Sequence, residues 1–325
     1  MTTRQAGKLR AHVARRRVSI RVLHTLWRPL RISAPGALPR TTAWALVGGL
    51  YSVTWLTATV AAIILAFYPH TGAAGTRDSW ALLNSIIPAL GLTIAGIAVL
   101  QMLARITNTA PTTIGVGKRA PWQTSASVFL IALLIFQARG TITLALEAIP
   151  GLPDQNSFPW TLPSDPAAEL MLILDSMLSG AVEEIIVLAV PIVALRSAGH
   201  RWPSILITAV ILRTAFHVYY GVIAVPGHLV WALALALLYI VSGRIWPLFA
   251  AHMVNNAIAS TYYVLDLNDP SAAAAFIGPA QGALLVATTL GLVLTILLSS
   301  GLYSARRLNA QRTISGVHQR DTTQD

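Results

Sequence analysis

Eight stretches of this 325-residue chain read as nearly unbroken apolar runs, at about 42–66, 79–102, 124–147, 169–195, 203–225, 228–243, 245–262 and 278–301. Runs of this length predict transmembrane helices, because about 20 apolar residues at 1.5 Å each cross the hydrocarbon core. The sixth and seventh are short and only Ser242, Gly243 and Arg244 divide them, so a tilted or partly re-entrant course is expected there. The pattern predicts an all-α fold, a polytopic transmembrane helix bundle of about eight spans. No Ser/Gly-rich linker, soluble domain or internal repeat interrupts it. Three parts follow: a basic N-terminal segment over 1–40, a transmembrane helical domain over 41–302 and a C-terminal tail over 303–325.

Composition strengthens the membrane reading and charge orients it. Hydrophobic residues make up 55% of the chain and charged residues 11%, against roughly 25% charged in an ordinary soluble domain. The net charge of +11 does not point to nucleic acid, because the basic residues sit at the termini and in short loops. Placing the N-terminus inside gives the inside connections Arg105, Lys118, Arg119, Arg196, Arg201 and Arg244, and the tail Arg306, Arg307, Arg312 and Arg320. The outside loops then hold Arg77 alone, with Asp78, Asp154, Asp165, Asp266 and Asp269, which predicts a multi-pass protein of the plasma (inner) membrane with both termini cytoplasmic. About 40 residues carrying ten Lys or Arg precede the first apolar run, so no cleavable signal peptide is expected. Arg15, Arg16, Arg17, Arg21, Arg28 and Arg31, interleaved with apolar residues, suit either a helix lying on anionic lipids or a disordered basic tail. Cysteine is absent, which excludes disulfides, thiolate metal sites and a cysteine nucleophile.

The polar residues inside the apolar runs carry the chemistry. The run Leu170–Leu195 contains Asp175 and the adjacent pair Glu183 and Glu184. A charge in hydrocarbon costs roughly 2.5–3.5 kcal/mol by insertion scales, so these carboxylates should face a bundle interior or a wet cavity. Neighbours on a helix point about 100° apart, so the two glutamates are not expected to face one partner directly. In the fifth run Arg213 and His217 are four apart and share a face, with Tyr220 and Gly221 close by; Arg213 requires a carboxylate, from Glu183, Glu184 or Asp175. In the seventh, His252 and Asn256 are four apart while Asn255 points away. Along their helices Glu183, His217 and His252 lie roughly 18, 21 and 11 Å from the cytoplasmic ends, compatible with one cavity reached from that side. The structural reading of these groups is ion pairs and interhelical hydrogen bonds. The functional reading is a general base with its orienting partner. Two histidines and a carboxylate are also a candidate zinc shell with an open position for water, His217, His252 and Glu183 being the ligands. Metal-free activation of water by a glutamate is the other option, with Asn256 donating to an oxyanion. Arg139 and Gln137 are expected to pair with Glu147 or Asp175 as packing, Asp175 to line the same cavity, His228 to sit at the surface of an outside turn, and Pro191 to kink the fourth helix and open backbone to water.

Glu183 and Glu184, then Arg213 with His217, then His252 with Asn256, in this order on three spans, resemble the CAAX protease and bacteriocin-processing family of intramembrane metalloproteases. The resemblance covers about residues 165–262, a protease-like core. It implies an intramembrane endopeptidase acting on a membrane-associated protein or peptide, with zinc a candidate cofactor. Glu183 would activate water, Glu184 would support it, His217 and His252 would bind metal or stabilise the oxyanion, and Asn256 would assist. The family commonly carries Arg four residues after the second glutamate, where this chain has Leu188, so either Arg213 supplies that charge from the neighbouring helix or activity is impaired. A catalytically inactive member acting as a scaffold or immunity protein is the alternative, and a proton-coupled transporter a third reading.

Overall fold

The computed structural model describes residues 30–68, 74–116, 122–152, 161–268, 271–272, 275, 279 and 281–293. These form helices α1 (Arg40–Phe67), α2 (Ser79–Ile106), α3 (Trp122–Glu147), α4 (Pro166–Ser197), α5 (Trp202–Ala215), α6 (Val225–Ser242), α7 (Trp246–Asn268) and α8 (Gln281–Val293). Two short strands, β1 (Ala74–Arg77) and β2 (Thr161–Pro163), pair in parallel just before α2 and α4. The starts of both helices follow from capping. Asp78 accepts the Ala81 N–H at 2.7 Å and Asp165 accepts the Ala168 N–H at 2.9 Å, with Pro166 in the first turn of α4. The Ala168 N–H, with the Ser164 hydroxyl, holds the Asp165 carboxyl below the usual carboxylate range.

Among the described residues the count of eight spans is not reached, and the eighth expected run, 278–301, lies partly outside them. Five helical stretches are long and apolar enough to cross a membrane: α1, α2, α3, α4 and Val222–Ser242, which contains α6. The fifth span, expected to run to residue 225, ends at Ala215, so α5 has 14 residues and reaches only about 21 Å. Two tight turns follow, Val218–Tyr220 and Val222–Ala224, joined at Gly221, whose φ of 87° is a conformation glycine adopts without strain. The α7 helix has 23 residues, but His252, Asn255, Asn256, Ser260 and Thr261 along its middle break the apolar run.

α4 is the axis of the bundle. Its apolar window is 89% buried, against 11% for α1. The remaining spans present Val53, Phe67, Ile94, Leu144 and Ile207 outward at 60% exposure or more, apolar surface that suits lipid. Within α4 the stretch Glu184–Ala189 is a wider, π-helical turn, in which the Val190 N–H reaches back to the Ile185 carbonyl. Pro191 has no N–H to offer Val187, and the slip in register absorbs that loss. The Pro191 expectation is corrected here: every residue from Ala181 to Leu195 is buried, so the turn is packed rather than opened to water.

Small residues let the neighbours close on this axis. A side chain at Gly96 of α2 would strike Ile185 and approach Ile186 at 2.9 Å. At Gly180, one turn before the glutamates, a Cβ would lie 2.9 Å from the His252 ring and 3.1 Å from the Asn256 amide. Close approach of this kind is how helices associate in lipid, where burial alone gives little drive. Polar ties run along the same α4–α7 seam: Asn268 to Glu169 at 2.8 Å, Asn256 to the Ser176 carbonyl at 2.9 Å and His252 to Glu184 at 2.8 Å. Gly180→Ala is therefore expected to destabilise the bundle by about 1–3 kcal/mol, the range for overpacking, while Gly282→Ala, where a Cβ meets nothing within 4 Å, should leave it unchanged. Thermal unfolding of the purified protein in detergent reads the difference, and equal melting temperatures would contradict this packing.

Candidate active site

The site is built on Glu184, which is fully buried. Its Oε1 accepts a hydrogen bond from Arg213 Nη2 at 2.6 Å and a second from His252 Nδ1 at 2.8 Å. One oxygen thus joins α4 to the last turn of α5 and to α7. Arg213 is 1% exposed and lies over the Trp231 ring at 4.7 Å, so its charge is held between a carboxylate and an aromatic face. The π-helical turn begins at this residue, which places Glu184 against α5 while Glu183 ends the regular helix before it. Leu188, where the family pattern has an arginine, is a 1%-exposed core residue, and the cation beside Glu184 comes from α5.

Glu183 and the two histidines face one another across short gaps. Its Oε2 lies 3.8 Å from His252 Nε2 and 4.0 Å from His217 Nε2, and this oxygen is buried without a hydrogen-bond partner. The far nitrogens of both rings are engaged. His252 Nδ1 meets the Glu184 carboxylate, and His217 Nδ1 meets the Arg213 carbonyl at 2.8 Å. A carbonyl or an ionised carboxylate can only accept, so each shared hydrogen belongs to Nδ1 and each neutral ring keeps its Nε2 lone pair toward Glu183. The expectation that the glutamates would not share a partner is corrected here. His252 touches both, because its two nitrogens point in different directions and each takes one carboxylate.

Other expected residues distribute unevenly. Asn256 is one turn beyond His252 and donates to the Ser176 carbonyl, with Asn255 donating to its side-chain oxygen at 3.3 Å. Tyr220 lies nearly parallel to His217, ring centroids 6.4 Å apart, and 5.4 Å from His228. Asp175 does not join the cluster: it accepts from Ser85 Oγ of α2 at 2.8 Å, because two helical turns carry it to the α2 side of α4. The Arg139 guanidinium lies over the Trp231 ring, 5.6 Å from its centroid. His228 is 3% exposed rather than superficial, because Gly227 lets the start of α6 sit directly on α3, with the Arg139 carbonyl 3.0 Å from where a Cβ would be.

Trp231 was missed altogether in the sequence. It is 1% exposed, and the rings of His217, His252 and His228 meet it edge to face at 5.4, 5.7 and 5.8 Å. The available signal was its place in mid-span, since tryptophans without a polar task gather at the membrane interfaces.

The donor set tests the zinc reading. Ligands on a tetrahedral zinc stand about 3.3 Å apart, given bonds of about 2.0 Å. The Nε2 nitrogens stand 3.8 and 4.0 Å from the Glu183 oxygen, and among the described residues no three His, Asp, Glu or Cys side chains converge as a metal site. The tautomers suit metal ligation but the spacing does not fit a closed zinc shell. It matches two hydrogen bonds of about 2.8 Å bent around one small molecule.

Residues 166–258 match the family described as "Type II CAAX prenyl endopeptidase Rce1-like". Neither curated proteins nor solved structures give a match to this chain. The matched segment begins at the first residue of α4 and takes in Glu183, Glu184, Arg213, His217, His252 and Asn256. The chain is thus a polytopic membrane helix bundle that carries, over residues 166–258, a CAAX-protease-like domain similar to the Rce1-like family.

Proposed function

We propose that this protein is an intramembrane endopeptidase in which Glu183 activates water to hydrolyse a peptide bond of a membrane-associated protein or peptide. The observation that carries the reading is the buried Glu183 Oε2, without a hydrogen-bond partner and facing two histidine Nε2 nitrogens at 3.8 and 4.0 Å. Water held there gives one hydrogen to the carboxylate and the other to an Nε2 lone pair, which aims its oxygen at the substrate carbonyl. Glu183 takes the first proton as the C–O bond forms. It returns that proton to the departing nitrogen as the C–N bond breaks. Asn256, with one amide hydrogen on Ser176, keeps a second for the developing oxyanion. Glu184 and Arg213 touch no reacting atom in this scheme; they fix the tautomer and orientation of His252.

The inactive-scaffold alternative rests on Leu188. The Arg213–Glu184 pair at 2.6 Å speaks against it, since a guanidinium from α5 stands beside the carboxylate. We further place the helix bundle in the plasma (inner) membrane with both termini cytoplasmic, supported by the bias of Lys and Arg toward the terminal segments and alternate loops. On this placement the basic N-terminal segment meets anionic lipids.

Two outcomes test the scheme. With a peptide library and the purified protein in lipid, Glu183→Gln and His217→Ala are each expected to lower kcat by about 10²–10⁴, the usual worth of a positioned base, with unfolding temperatures near wild type. Unaltered turnover in Glu183→Gln would end the assignment. Arg213→Met is expected to cost about 3–5 kcal/mol of stability by stranding the Glu184 charge, and Arg213→Met combined with Glu184→Gln should recover most of it. A double variant no more stable than the single one would show that the pair is not what holds α5 to α4.

A further inference from the structure

Hydrolysis needs water at Glu183, and the two ends of the bundle differ in whether they can supply it. At the end where α4 and α6 finish, residues 30–38 run across the helix termini as a strap. The Gly36 and Leu38 N–H groups donate to the Ser197 carbonyl at 2.7 and 3.2 Å, and the Leu30 N–H donates to the Ile240 carbonyl at 2.7 Å. Leu30, Ile32 and Leu38 belong to the buried core. The loop after α2 closes the same end. Tyr239 donates to the Ile114 carbonyl at 2.8 Å, and a Cβ at Gly115 would lie 2.6 Å from the Ile245 nitrogen. Between this seal and the glutamates, α4 from Ile185 to Leu195 is apolar and buried throughout, roughly 15 Å of helix that offers water no polar side chain.

The opposite end is built differently. α5 has 14 residues and α6 has 18, so the pair rises only about 21 and 27 Å from the strap end, against about 42 Å for α1 and 48 Å for α4. The turns that join them, Val218–Tyr220 and Val222–Ala224, therefore lie below the level at which α1 and α4 end on that side. Protein covers their flanks: Trp55 of α1 stacks on Phe216 at 4.3 Å, and Gly227 sits on α3. The tip is open, with Val222 77% exposed and Pro226 exposed beside it. Irregular backbone at membrane depth faces protein or water, not lipid. The side chains agree with water on this side. α7 is apolar from Trp246 to Ala251, on the strap side of His252, and carries Asn255, Asn256, Ser260 and Thr261 beyond it. α4 has Ser176 and Ser179, both half-buried, on the same side of its glutamates. Within the cluster Glu184 and Arg213 are sealed, and the exposure that survives belongs to Glu183 and His217.

We propose that the space above the α5–α6 tip is a water-filled vestibule, open at the β1–β2 end of the bundle, through which both water and the peptide to be cut reach Glu183. The proposal rests on the endopeptidase reading and adds the side from which substrate is presented. The charge bias puts the strap end in the cytoplasm, so the substrate is a polypeptide segment exposed on the outer face of the membrane. The seal at the strap end reverses the cytoplasmic entry expected from helix depth alone.

The chain has no cysteine, so single-cysteine variants of the full protein report access one position at a time. Membrane vesicles of each orientation are treated with a membrane-impermeant methanethiosulfonate. Ser164→Cys beside β2 and Ala110→Cys in the loop after α2, both at exposed positions, identify the two faces. Val222→Cys and Asn255→Cys are expected to react from the Ser164 face at least tenfold faster than Val187→Cys, which is buried on the strap side, and not to react from the Ala110 face. Reaction of both from the Ala110 face, or from neither, overturns the vestibule. Reaction of Ala110→Cys from outside the cell overturns the outward presentation. A bulky adduct on Val222→Cys should lower peptide cleavage tenfold or more and release it on reduction, which separates blockage from misfolding; cleavage unchanged by the adduct shows that the peptide does not pass this way. Labelling from the Ser164 face without turnover of any peptide removes the protease assignment alone, whereas turnover with labelling from the Ala110 face removes the vestibule alone.

Discussion

One oxygen atom, Glu184 Oε1, holds the functional half of this bundle together. Arg213 from α5 and His252 from α7 both donate to it, at 2.6 and 2.8 Å. Each of the three groups would be expensive in a membrane interior alone, and each offsets the others. Truncating one partner of such a buried arrangement leaves charge without compensation, a heavier penalty than the net worth of the interaction itself. The same contact sets chemistry as well as packing. With Nδ1 of His252 committed to Glu184, the Nε2 lone pair is turned toward Glu183, and the Arg213 carbonyl fixes His217 in the same way.

This contact constrains the backbone around it. α4 must bring two adjacent glutamates to bear on different helices, and the π-helical turn beginning at Glu184 lets it do so without interrupting the helix. α7 must come close enough for His252 to reach between them, which Gly180 permits. α5 must end where Arg213 and His217 meet the cluster, so the chain leaves the helix at Ala215 and turns back through two short turns. Irregular backbone at this depth is tolerated because protein covers it. Trp55 of α1 stacks on Phe216 at 4.3 Å and closes that side. Trp231 fills the centre, giving two guanidinium groups and three imidazoles a common apolar wall that strengthens their mutual electrostatics.

A bundle of membrane helices was legible in the sequence because hydrophobic run length responds directly to bilayer thickness. The pairs Arg213/His217 and His252/Asn256, and the carboxylates they answer, were legible for a related reason: polar groups in apolar runs demand partners, and few were present. Reading the helix ends from apolarity alone worked less well. It extended the fifth span ten residues past Ala215, because Val218, Val222, Ile223 and Ala224 are as apolar as a span while their backbone turns at Gly221. It also credited α7 with an apolar span that its own site residues interrupt.

The sequence by itself determined the class of fold, the residues that had to be neutralised inside it and the order in which they come along the chain, since composition and spacing along single helices are properties of the chain alone. Only the tertiary structure decided which carboxylate takes Arg213, that one imidazole serves both glutamates, that Asp175 leaves the cluster for Ser85, and that Arg139, His228 and Trp231 enter it. Those outcomes depend on rotation and closest approach between different helices. Distance along the sequence carries no information about either.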